Sequence, residues 1–197
     1  MHLFNGNSPA LQKTVFVLIA ILGVTYIYHT WTSTEENKFD QTRLIARSFV
    51  ASLPIEDLKV LEAIPGDIDK PQYQVIKNAL KELISINTTP RFAYIFIERK
   101  GKRYFIADSE PKESKDYSPP GQEYSEFDLS FEQLFKDGKE YIKVHAIDRW
   151  GTWTSVLVPV KDKVTGKTIA VFGIDFNAKS WFNSIFIEVT ESSVLIL

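Results

Sequence analysis

Two apolar runs near the C-terminus constrain the fold of this chain more than any other feature. Thr154-Ser-Val-Leu-Val-Pro159 and Thr168-Ile-Ala-Val-Phe-Gly-Ile-Asp-Phe176 are rich in β-branched and aromatic residues. The polar segment Lys161-Asp-Lys-Val-Thr-Gly-Lys167 between them carries a Thr-Gly turn signal. Together they read as two strands joined by a tight turn. Asp148-Arg-Trp-Gly-Thr-Trp153 places an aromatic turn in front of the pair, and Asp175 closes it with an acid.

The rest of the chain supplies partners for that pair. Ala93-Tyr-Ile-Phe-Ile97 and Arg103-Tyr-Phe-Ile-Ala107 read as strands around a hairpin turn, Arg99-Lys-Gly-Lys102, and Tyr141 to Ile147 reads as another strand. Ahead of them Phe39, Thr42, Ala46, Phe49 and Leu53 recur at 3–4 spacing until Pro54, predicting a long helix. Ser33-Thr-Glu-Glu36 looks like its capping box. A short helix is predicted between Ile55 and Ile64. An amphipathic one starts at Pro71 with Tyr73, Ile76, Leu80 and Leu83 on one face, fading at Asn87-Thr-Thr-Pro90. Phe131 to Phe135 reads as one helical turn, and a last helix begins near Asn177-Ala178, capped by Asp175 or Asn177. The polar stretch from Asp108 to Glu126, with Pro119-Pro-Gly121, is too long for a simple connection and reads as a functional lid or a disordered segment. The layer rule then gives an α+β fold: a five-stranded antiparallel sheet, the long helix on one face, and the Asp108–Lys139 segment over the other, enclosing a cavity.

The strand–turn–strand ending Gly173-Ile-Asp175, with the aromatic turn before it, closely resembles the C-terminal half of Cache (PAS-like, PDC-type) sensor domains. Bacterial and archaeal membrane receptors display such domains outside the cell. The resemblance spans about residues 33–185. It implies a PAS-like sheet, a pocket between its outer face and the long loop for a small organic molecule such as a carboxylate or amino acid, and no cofactor. It also implies a helix that relays ligand binding alongside the same helix of a second copy, toward a kinase or diguanylate cyclase module.

Charge distribution agrees with that placement. All 25 acids lie at or beyond Glu35, and Lys13 is the one lysine or arginine before it. The uncharged run from Thr14 to Thr34 meets the length of about 20 residues that a bilayer needs, with Tyr26, Tyr28 and Trp31 in the outer interface. The expected organisation is a cytoplasmic tail over 1–13, a transmembrane helix over 14–32, an extracytoplasmic sensor over 33–185, and a tail over 186–197 where a second span could begin. The chain reads first as a fragment of a longer receptor, or a gene truncated at that point, and second as a stand-alone sensor without an output module. A cleaved secretory signal is the alternative, but Thr30-Trp-Thr-Ser33 offers no small-x-small cleavage site.

Several functions are disfavoured. A formal net charge of −2 offers no basic field for nucleic acid, and the lack of cysteine removes thiol chemistry and Cys-ligated zinc. No His-Glu-x-x-His, Gly-x-Ser-x-Gly or Walker-type loop is present, so the chain reads as a sensor and not an enzyme. Asp108, Asp116, Asp128 and Asp148 lack calcium-loop spacing, and no metal is expected. A binding site fits better. Strand alternation gathers Tyr94, Tyr104, Asp108, Tyr141, Lys143, His145 and Ser155 on the more polar faces. Trp150 and Trp153 either wall the pocket or anchor their turn, and Arg91 and Arg149 are the candidates for a ligand carboxylate. Asp108 either caps a turn or reaches the ligand. Asp175 reads first as a helix cap and second as a ligand contact. A non-sensing dimerisation or docking module, or a secreted binding protein, are the rival readings.

Overall fold

The computed structural model describes residues 9–126 and 132–194. Helix α1 (Pro9–Ser52) is followed by α2 (Ile55–Lys59), a 3₁₀ turn (Pro65–Asp69) and α3 (Pro71–Ile86). Strands β1 (Phe92–Arg99) and β2 (Lys102–Asp108) come next. After the long loop, α4 (Glu132–Lys136), β3 (Tyr141–Asp148), β4 (Gly151–Lys161), β5 (Thr168–Asn177) and α5 (Ala178–Val194) complete the order. Phe131, the predicted start of α4, lies outside the described residues.

The chain divides into two compact units, one of Phe39–Trp181 and one of the flanking segments up to Lys38 and from Phe182. In the flanking unit the apolar side chains of α1 between Leu11 and Tyr28 are exposed, and α1 is long and apolar enough to cross a membrane. Trp31 meets Phe182 with ring centroids 4.9 Å apart, and Lys38 pairs with Glu188 at 2.6 Å. The predicted capping box does not form. Ser33 and Glu36 sit inside an unbroken helix that already began at Pro9, so neither has a helix end to cap.

The central unit holds a five-stranded antiparallel sheet in the order β2-β1-β5-β4-β3. The α+β, PAS-like fold class expected from the sequence is the one observed. Two-residue turn geometry explains the first hairpin: Lys100 and Gly101 both have positive φ, 53° and 74°, matching the twist of β1 and β2. The β4–β5 turn is held by Asp162, whose Oδ1 accepts the Val164 and Thr165 amides at 3.0 and 2.6 Å. Asn177, and not Asp175, caps α5: its Oδ1 accepts the Lys179 and Ser180 amides, each at 3.1 Å.

The sheet has two buried faces. One carries Ile95, Val156, Phe172 and Ile174 and meets the helices: Phe49 of α1 packs tilted against Phe172 with ring centroids 4.6 Å apart, and α3 buries Tyr73, Ile76 and Leu80. The other carries Phe92, Tyr94, Phe96, Phe105, Leu157 and Val171, covered by Tyr124 of the long loop and Leu134 of α4. Truncating fully buried Phe172 to alanine is expected to destabilise the fold by about 3–5 kcal/mol. Val164→Ala, at a side chain 89% exposed, should stay within about 0.5 kcal/mol. Chemical denaturation of the two variants checks the contrast.

Candidate functional site

The loop-covered face of the sheet encloses the candidate site. Its centre is a close approach: Tyr94 on β1 pairs with Gly173 on β5, and a Cβ at Gly173 would stand 2.4 Å from the tyrosine ring. Only glycine lets the ring lie there. The Tyr94 hydroxyl thereby reaches Asp175, two residues along β5, and donates to its Oδ1 at 3.2 Å. Ser155, opposite Asp175 on β4, also hydrogen-bonds this carboxylate.

Phe92, Tyr94, Phe105, Tyr124 and Trp150 form the aromatic walls. Four acids line the same space: Asp108, Asp116, Asp148 and Asp175. The cleft holds about 340 Å³ of empty volume including its mouth, of which about 20 Å³ admits the centre of a water molecule. That is room for about one water.

The acids are held in different ways. Asp108 pairs with Lys77 of α3 at 2.7 Å, and its Oδ2 accepts the Ser118 amide at 2.7 Å. Burial lowers Lys77 and raises Asp108, each against the pull of the pair itself. Lys77 also donates to the Glu110 carbonyl and lies 4.6 Å from the Tyr117 ring centre. Asp116 binds Arg91 at 3.0 Å, and Arg91 also pairs with Glu110. These contacts fasten the 109–118 segment across the mouth. Asp148 anchors the aromatic turn: its Oδ1 accepts the Trp150 amide at 2.9 Å, the Gly151 amide at 3.1 Å and the Trp153 indole at 2.9 Å. Asp175 is held by the Tyr94 and Ser155 hydroxyls alone among the described side chains. Burial pushes its carboxyl up to about 7, the Ser155 hydrogen bond pulls it back, and the nearby Asp148 charge raises it further. Burial also raises the phenols of Tyr94 and Tyr124.

Of the residues singled out in the sequence, Tyr94, Asp108, Trp150 and Asp175 line the cavity, and Ser155 touches Asp175. Two β-bulges redirect others. On β2 the register moves from Ile95↔Ala107 to Phe96↔Phe105, so Phe105 faces the cavity. Tyr104 pairs with Ile97 and lies under the Arg99 guanidinium at 4.4 Å. On β3 a shift between Lys143 and Ala146 puts Ala146 against the core and leaves His145 exposed with φ 58°. Simple alternation had placed both residues on the pocket face. Tyr141 packs against the core cluster, and Trp153 is buried edge-on to Phe92 at 5.0 Å, supporting the wall from behind. Arg149 is clamped by Glu126 at 2.6 Å, which holds that acid down at about 2.

Phe92, Phe105, Ser118 and Tyr124 escaped the sequence reading, and Asp116 and Asp148 were weighed only as metal ligands. One signal was available: an acid directly before Arg-Trp-Gly is well placed to receive the amides of a turn. Among the described residues no group of three or more His, Asp or Glu side chains is arranged to hold a metal ion.

No protein-family model matches the chain, and no curated protein matches its sequence. Solved structures do match in fold. The ligand-binding domain of the Campylobacter jejuni chemoreceptor Tlp3 in complex with L-valine aligns with a TM-score of 0.59 at 15% identity, covering 91% of this chain and 68% of that one. The isoleucine-bound sensory domain of the same receptor gives 0.58 at 15% identity, with the same coverage. Another structure of that sensory domain gives 0.58 at 14%, covering 89% of this chain and 67% of that one. The chain has the Cache-type, PAS-like fold of these sensory domains.

The Tyr94–Gly173 contact makes a direct prediction. Gly173→Ala is expected to expel the ring and destabilise the fold by about 1–3 kcal/mol. In a Tyr94→Ala background the same change should cost less, and a double-mutant cycle by urea unfolding measures the difference.

Proposed function

We propose that this chain is the ligand-sensing portion of a membrane receptor and that its ligand carries an ammonium group. The observation that carries this is the lining of the cavity: carboxylates between aromatic faces, with no cation paired to Asp175 among the described residues. Aromatic faces attract a cation through their quadrupole, and buried carboxylates pair with it directly. A simple carboxylate ligand fits poorly. Arg91 is engaged by Glu110 and Asp116, Arg149 by Glu126, and the walls are acidic. An amino acid presents its ammonium to the acids, and the Tlp3 domain with this fold is described with L-valine and with isoleucine bound.

In this reading the apolar stretch over 14–32 anchors the chain, residues 33–185 lie outside the membrane, and copies pair through α1. The ligand enters when the 109–118 segment lifts, and its binding shifts the Phe49 end of α1. That helix runs unbroken to its apolar stretch, giving the shift a covalent path. Transmission requires the ligand to favour one arrangement of the helix over another. A second reading, a non-sensing dimerisation or docking module, is favoured by the small size of the cavity as it stands.

A thermal-shift screen of the full chain in lipid nanodiscs separates the two, using amines, amino acids, carboxylates and divalent cations. An amine or amino acid is expected to stabilise the protein, by about 2.7 kcal/mol at a hundredfold excess over its dissociation constant. Asp148→Asn or Trp150→Ala should weaken that hit. A flat screen over a folded protein would leave the interaction module.

A further inference from the structure

Asp175 is 4% exposed, on the central strand of the sheet, and burial weighs most on its charge state, ahead of the groups around it. From β1 the Tyr94 hydroxyl donates to it, and from β4 the Ser155 hydroxyl adjoins it. From β3 come Asp148, close enough to repel it, and Lys143, which stands opposite Ser155 one strand further out. From the long loop Tyr124 directs its hydroxyl to Asp148 at 3.4 Å. From β2 comes Asp108, already engaged by Lys77 of α3. Arg91, just before β1, gives its backbone amide to the Asp175 carbonyl at 2.7 Å, while its guanidinium turns to Glu110 and Asp116. Among the described residues no lysine, arginine or histidine pairs with Asp175.

The two neighbouring acids are thus unequally provided for. Asp148 receives three N–H donors; Asp175 meets two hydroxyls and a like charge. An ionised carboxylate buried without a counter-charge is costly, and the simplest relief is a proton.

We propose that Asp175 is a proton-binding site within the sensor cavity: it carries a proton when the cavity is empty and releases it to solvent when a cationic ligand enters. The second half rests on the cationic-ligand reading; the first does not. A protonated Asp175 fits its surroundings, since one oxygen accepts from Tyr94 and the acid O–H can donate to the Ser155 oxygen. The carboxyl, raised from 3.8 to about 7, then titrates in the range of natural waters. The folded chain holds a proton in that window that the unfolded chain has lost. The stabilising contribution of this group is therefore full below about pH 4, falls as pH rises through the window, and is gone above about 7.

Infrared titration of the full chain in nanodiscs, reading the C=O stretch of protonated carboxyl groups, tests the site directly. The expected result is a band that disappears with a midpoint near pH 7 and is missing in Asp175→Asn. Asp148→Asn should move the midpoint down, because it removes the like charge, and this holds as a test even if Asp175→Asn fails to fold. A wild-type band confined to the ordinary carboxylate range, or one unchanged in Asp175→Asn, overturns the proposal. The ligand half is read with an amine found in the screen: its affinity should fall about tenfold per pH unit below 7. An affinity independent of pH overturns the linkage and leaves the cationic reading standing. A flat amine screen with an intact band removes the cationic reading and leaves the proton site.

Discussion

The seating of one aromatic ring on one glycine organises the functional face of this sheet. Because Gly173 has no side chain, Tyr94 lies across β5 instead of standing off it, and its hydroxyl is carried to Asp175. The other aromatic rings then pack around a centre already occupied: Phe105 meets Tyr94 edge-on at 5.7 Å, and Tyr124 meets Phe105 at 5.4 Å. The cavity is what remains between these rings and the acids behind them. Its small volume follows from the way the centre is filled and not from a missing pocket.

Two sets of polar contacts surround that centre, one ion-paired and one hydrogen-bonded. Lys77 and Arg91 hold Asp108, Glu110 and Asp116, so the covering segment is fastened by a partly exposed arginine and, out of water, by the Lys77–Asp108 pair. Breaking such a pair on one side leaves a buried charge uncompensated, which makes the closed arrangement resistant to partial opening. On β3, partly buried Asp148 gives its Oδ1 to the Trp150–Trp153 turn and thereby fixes where the Trp150 face points. The same few acids therefore hold the loop and the aromatic turn and also line the cavity.

Much of this fold was legible in the sequence. The five strands, the polar loop too long to be a connection, and the helices beginning at Pro71 and Ala178 all follow from periodicity, proline placement and turn chemistry. The capping box was misread, because Ser33-Thr-Glu-Glu36 satisfies the local pattern of a helix start while lying within a helix begun upstream. The site was half legible. Tyr94, Asp108, Trp150 and Asp175 stood out by residue type and strand position. Tyr104 and His145 were misplaced because a bulge inserts one residue and reverses every face beyond it, and alternation carries no mark of where that occurs. Tyr124 belongs to an aperiodic segment, and Lys77 is a lysine on the buried face of α3, where apolar periodicity does not register it.

The bulge on β3 has an effect at the rim of the sheet. β3 is the last strand in the sheet order, and an outermost strand that ran straight would offer a row of amides and carbonyls to a strand from another molecule. The left-handed backbone at His145 interrupts that row midway, and at the opposite rim the Gly121–Tyr124 segment already occupies the hydrogen-bonding groups of β2. The sheet is thus blunted against edge-to-edge growth on both sides. Copies of this chain crowded together have their strands protected from fusing into a continuous sheet, and self-association is steered toward side-chain surfaces instead of the backbone.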